Sequence, residues 1–170
     1  MKKLCDNRLT KNIVIIGMPG SGKSTIGKEL AKRLNMKFCD IDEYIVKKES
    51  KSIPEIFQKG EEEFRNIESI AVKEVSSKFP QVIATGGGVI KREENIKVLR
   101  QNGIIIFLNR PIEHIAQDVD IKSRPLLKDG SEKLYDLFKD RYELYNKHCD
   151  YIIENINIEE SIEKILNFIQ

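Results

Sequence analysis

The stretch GMPGSGKST, Gly17 to Thr25, limits what this chain can fold into more than any other. It matches the pattern G-x-x-x-x-G-K-[ST], and it follows an apolar run beginning at Ile13 and precedes a helix-spaced segment from Lys23 to Leu34. Glycines in such a loop let backbone N–H groups wrap phosphate oxygens, and the following helix start adds partial positive charge. On this reading Gly20, Ser21, Gly22, Lys23, Ser24 and Thr25 bind a nucleoside triphosphate. Lys23 reaches the β- and γ-phosphates, and the Ser24 hydroxyl ligates Mg²⁺. The loop names a ligand and leaves the reaction open, because switches, motors and kinases share it.

The rest of the chain fits a single α/β domain spanning residues 1–170. Apolar runs predict buried parallel strands at Ile13–Gly17, Val82–Thr85, Gly103–Leu108 and Tyr151–Glu154, with a weaker fifth at Lys37–Ile41. Helical spacing is expected at Lys23–Leu34, Pro54–Val75, Arg92–Arg100, Pro111–Ala116, Glu132–Lys147 and Ile158–Phe168, with Gly60 breaking the second of these. Strands alternating with helices give right-handed crossovers and a three-layer α/β/α fold around a five-stranded parallel sheet. Ligands in such folds bind beyond the carboxyl ends of the strands.

Composition narrows the partners. With 29 basic and 27 acidic residues the net charge is only +2, and no basic stripe suggests nucleic acid. No apolar run approaches a membrane span, and the start of the chain lacks a signal-peptide core. Cys5, Cys39 and Cys149 are odd in number and widely spaced, as expected of reduced thiols in a cytoplasmic protein. A monomer acting on small molecules, with neither a nucleic-acid nor a membrane partner, is the expectation.

Two features after later strands bear on the reaction. The third apolar run ends in Thr85-Gly86, where many nucleotide-binding sheets place an acid. The acids here are Asp40 and Asp42, after the weak second strand; either could instead cap a helix. Three glycines, Gly86, Gly87 and Gly88, occupy the vacated place. They read as a pocket floor bare of side chains, which a second ligand can approach closely with backbone N–H groups exposed to it.

Taken in order, GMPGSGKST, DID, GEEEFRNIE, TGGG and RPLL resemble the shikimate kinases, P-loop kinases of the nucleoside-monophosphate-kinase-like fold with a mobile lid. The resemblance covers the chain from about Asn12 to its last helix. It implies transfer of the γ-phosphoryl of ATP to the 3-hydroxyl of shikimate, with Mg²⁺ as cofactor. It assigns Asp42, Arg65, Gly87 and Arg141 to the acceptor, Asp40 to magnesium through water, and Lys23 and Arg124 to the transferring phosphates. Lys23, Asp42 and Arg124 are then the catalytic residues, residues 40–75 the acceptor region and 112–128 the lid. The chemistry is coherent: planar arginine forks suit a carboxylate, and Asp42 can accept the hydroxyl proton. Taken alone, Arg65 also fits an ordinary helical ion pair with Glu61.

The pattern departs in two places. Glu143 stands where the family has proline in R-x-P-L-Y, and Gln117 and its neighbours lack the lid arginine that stacks on adenine in some members. Losing a stacked cation removes on the order of 1 kcal/mol, so looser purine selectivity is expected. Competing expectations are a gluconate or nucleoside-monophosphate kinase on the same fold, or a P-loop switch without transfer. His114 and His148 match no functional position.

Overall fold

The computed structural model describes residues 10–118 and 131–169. Five parallel strands form one sheet in the order β2-β3-β1-β4-β5: β1 Asn12–Ile16, β2 Lys37–Asp40, β3 Gln81–Ala84, β4 Gly103–Asn109 and β5 Tyr151–Glu154. β1 lies at the centre, and all five of its residues are buried. A strand covered on both faces reads as an unbroken apolar run, which is why NIVII shows no alternation.

The helices are α1 Lys23–Leu34, α2 Ile41–Glu49, α3 Ile53–Phe57, α4 Glu61–Ser76, α5 Glu93–Gln101, α6 Ile112–Asp118, α7 Ser131–His148 and α8 Ile158–Ile169. The alternating residues of β1 feed two cores. Ile13 and Ile15 pack with Ile26 and Leu30 of α1 and Ile162 and Ile165 of α8. Val14 and Ile16 face Ile45, Phe64, Val72, Leu99 and Tyr145 on the opposite side. The expected three layers are present. The expected break at Gly60 is also present: its φ of 111° ends the α3 turn and lets α4 restart in a new direction.

All five strands hand the chain directly to a residue used below. β1 runs into Gly17, β2 ends at Asp40, β3 leads to Thr85 and Gly86, β4 leads to Arg110, and β5 leads to Asn155. Because the sheet is parallel, these positions gather along one edge.

Candidate active site

The nucleotide loop takes its shape from backbone chirality and from side chains that hold its carbonyls. Gly20 and Gly22 adopt φ of 81° and 93°, conformations that side chains rarely tolerate. Lys23 lies mostly buried, its Nζ donating to the carbonyls of Gly17 at 3.0 Å and Met18 at 2.8 Å. Two residues that sequence reasoning did not single out brace the loop from outside. Arg110, just past β4, donates to the Gly20 carbonyl at 3.1 Å and pairs with Asp118 on α6. Asn155, just past β5, donates to the Ser21 carbonyl at 2.8 Å and accepts from the Ser161 hydroxyl at 3.0 Å. A trans peptide is planar, so pinning the Ser21 carbonyl on one side turns the Gly22 N–H to the other.

Asp40 is a helix cap and also meets Ser24. Its Oδ1 caps α2, accepting from the N–H of Asp42 at 2.9 Å and Glu43 at 3.2 Å, while Oδ2 accepts from the Ser24 hydroxyl. A hydroxyl and a carboxylate oxygen thus stand side by side where the P-loop enters α1. These are the hard oxygen donors that magnesium takes, alongside phosphate and water. Among the described residues no group of three or more His, Cys, Asp or Glu could hold a metal.

A second cluster is built around a buried arginine. Arg65, on α4, is 5% exposed. Its Nη1 pairs with Glu68 at 2.7 Å, and its Nη2 and Nε reach Glu61 Oε1 at 3.2 and 3.3 Å. Burial works against the guanidinium charge, but the pull of Glu68 and then Glu61 outweighs it and raises the pKa. Glu68 is wholly buried, and burial pushes its carboxyl above the usual range despite the nearby arginines. Its Oε1 has no hydrogen-bond partner among the described residues.

The three glycines sit against this cluster. None has the positive φ of the P-loop glycines. A Cβ on Gly88 would lie 2.2 Å from Arg65 Nη2. On Gly86 it would lie 2.9 Å from Glu68 Oε1 and 3.0 Å from Asp42 Oδ1, and on Gly87 2.7 Å from Pro19 Cδ of the P-loop. The protein's own side chains therefore already need glycine at all three positions. The loop is also held from below: the buried Tyr145 hydroxyl donates to the Gly87 carbonyl and accepts from Arg141. Burial pushes this phenol up to about 12, so it stays a neutral donor. Arg141 is 3% exposed, one turn before Tyr145 on α7.

The structure therefore brings together Lys23, Ser24 and Asp40 at one end, and Asp42, Arg65, Gly86 and Gly88 at the other. Gly87 bridges the two, resting on Pro19 and tied to Tyr145 beside Arg141. Arg124 and residues 119–128 of the expected lid lie outside the described residues, as does Cys5. His114 is exposed on α6, and His148 is buried at the end of α7, apart from these contacts.

The shikimate kinase family model matches residues 19–170. The chain belongs to the shikimate kinase family. A shikimate kinase from Clostridium botulinum (strain Alaska E43 / Type E3) is 49% identical over 162 residues, covering 95% of this chain and 98% of its own. The solved shikimate kinase from Acinetobacter baumannii, in complex with shikimate, superposes with a TM-score of 0.90 at 38% identity, covering 95% of this chain and 94% of that one. The shikimate kinase from Aquifex aeolicus gives 0.80 at 38% identity, with 92% and 94% covered. A gluconokinase from Sinorhizobium meliloti gives 0.63 at 17% identity, which shows a shared fold only. As a shikimate kinase family member this chain is a phosphotransferase, and its sheet and helices are those of P-loop kinases.

Proposed function

We propose that this chain transfers the γ-phosphoryl of ATP to the 3-hydroxyl of shikimate, as a monomeric cytoplasmic enzyme of the chorismate route to aromatic amino acids. One observation carries the acceptor assignment: the buried Arg65 guanidinium is flanked by Glu61 and Glu68 and packed on Gly88, two positions along from Gly86, which Asp42 and Glu68 approach. A buried arginine with N–H groups to spare suits a small acceptor with a carboxylate. Two of the five N–H groups of Arg65 have no acceptor among the described residues.

The division of labour follows from position. Phosphoryl transfer asks chiefly for alignment and neutralised charge. Gly20–Thr25 cradle the phosphates, and Lys23 supplies a fixed positive charge at the loop. Ser24 and, through water, Asp40 would hold magnesium, which would screen the charge on the phosphates. Arg65 and Arg141 orient the acceptor by its carboxylate, with the Gly87 N–H on a ring hydroxyl. Asp42 takes the proton of the attacking hydroxyl. Arg124, in the lid at 112–128, would close over the γ-phosphate and exclude water, which would otherwise compete as acceptor.

Steady-state turnover of ATP with shikimate, gluconate, nucleoside monophosphates or no acceptor tests this reading, with phosphorus NMR locating the new ester. Shikimate-dependent ADP release with a 3-phosphate product is expected. Acceptor-independent ATP turnover that shikimate does not change would overturn it.

A further inference from the structure

Glu61 carries more hydrogen bonds than a helix-surface carboxylate needs. One oxygen, Oε1, accepts from Arg65 Nη2 at 3.2 Å, from Arg65 Nε at 3.3 Å and from Lys91 Nζ at 2.7 Å. The lysine contact is the shortest of the three. It is also the first cause of the lowered Glu61 pKa. Lys91 closes the short 3-10 turn Val89–Lys91 and donates its own N–H to the Gly88 carbonyl at 3.0 Å. The backbone that forms the bed of Arg65 therefore also carries the cation that shares its outer carboxylate.

The charges explain why such sharing matters. Arg65 faces two carboxylates, Glu61 and the buried Glu68. Two acids on one guanidinium leave a net negative charge, which Arg141, also acting on Glu68, only offsets. A second cation on Glu61 tips the group positive. By drawing Oε1 to itself, Lys91 also keeps Glu61 from closing into a tight fork on the arginine.

We infer that Lys91 is a positioning residue for the acceptor: acting through Glu61, it keeps the Arg65 fork open and electropositive for a substrate carboxylate. This rests on the reading of Arg65 as the acceptor contact. Lys91 is 44% exposed at its side chain, and the neighbouring Arg92 separately ties this turn to α4 through Glu62, Asn66 and Ser69. Loss of the lysine charge therefore leaves the packing in place.

Lys91→Met should raise the shikimate KM about two- to fivefold, the range open to a partly exposed charge pair, while kcat and the ATP KM stay at wild-type values. Because the effect runs through Glu61, adding Glu61→Gln should bring the KM back toward wild type, and Lys91→Arg should preserve it. In an Arg65→Ala background Lys91→Met should change nothing. An unchanged KM in Lys91→Met, or a rise that persists in the double variant with Glu61→Gln, overturns the role of Lys91. If Arg65→Ala itself leaves the shikimate KM unchanged, the reading of Arg65 falls and this one with it. A raised KM in Arg65→Ala with a neutral Lys91→Met sinks the lysine proposal alone.

Discussion

Replacing Gly88 with alanine inserts one methyl group beneath the Arg65 guanidinium. The new carbon would lie 2.2, 2.4 and 2.5 Å from Nη2, Nη1 and Cζ. Relaxed contacts between heavy atoms fall at about 3.5–4.0 Å, so the guanidinium must retreat by more than about 1 Å. The backbone is not the obstacle, because φ −99° and ψ 5° at Gly88 are open to alanine. The retreat is opposed by Glu68 at 2.7 Å, itself wholly buried, and by Glu61. Overpacking of this kind costs about 1–3 kcal/mol of stability. A misplacement near 1 Å in a positioning group costs on the order of 10²-fold in rate. We therefore expect Gly88→Ala to lower kcat/KM for shikimate about 10²-fold while changing the ATP KM less than about twofold. A coupled ADP-release assay with each substrate titrated in turn reads both numbers. Gly60→Ala is the control: a Cβ there meets nothing within 4 Å, but φ of 111° strains it, so it should lose stability and keep its acceptor KM. Near wild-type kcat/KM for shikimate in Gly88→Ala would refute the assignment of Arg65 and its glycine bed to the acceptor.

Asp42→Asn should lower kcat about 10²–10⁴-fold, the usual scale for a general base, and a rapid-quench burst comparable to wild type would remove Asp42 from that role. Asn155→Ala strips the buried Ser21 carbonyl of its donor, an expected loss of about 1–3 kcal/mol in urea unfolding. It should also raise the ATP KM more than the shikimate KM; the reverse order would contradict its bracing of the P-loop. His148 titrates below the usual histidine value, because of burial and then the neighbouring Lys147, with Arg100 acting the same way and Glu93 opposing them. Its unfolded form then binds more protons between the depressed folded value and the ordinary one, so stability rises with pH across that window and is lost on acidification. His148→Gln should flatten the pH dependence of the thermal midpoint between about pH 7 and pH 5; an unaltered slope would contradict this.

The elements that were legible in the sequence are those whose environment is uniform. β1 and β4 are buried on both faces and read as unbroken apolar runs, whereas β2 is a sheet edge with only partly buried residues, and KFCD gave a weak signal. The strand order was not legible, since no local pattern tells β1 to lie between β3 and β4. At the site, the P-loop could be read from its spacing, Asp40 and Asp42 stood out only as acids after a weak strand, and the roles of Asp40, Arg65 and Arg141 came through family resemblance. Glu68 was missed as more than a helix-surface partner, because carboxylates are usually solvated. The signal existed: position 68 lies one turn from Phe64 and three or four residues before Ala71 and Val72, in the middle of the buried stripe of α4. Arg110 and Asn155 carried no such mark. Their importance depends on loop carbonyls brought to them by the sheet, which only the folded structure reveals.

The bridge from Asn155 to Ser21 spans 134 positions of sequence, and its own anchor, Ser161, belongs to the last helix. A chain leaving the ribosome shows Gly17–Thr25 early, yet the brace for that loop emerges only 134 residues later. Domains gather as the chain grows, N-terminal parts first. In this molecule an early motif waits for a distant one, and the loop is held in its final shape only once Asn155 has been made.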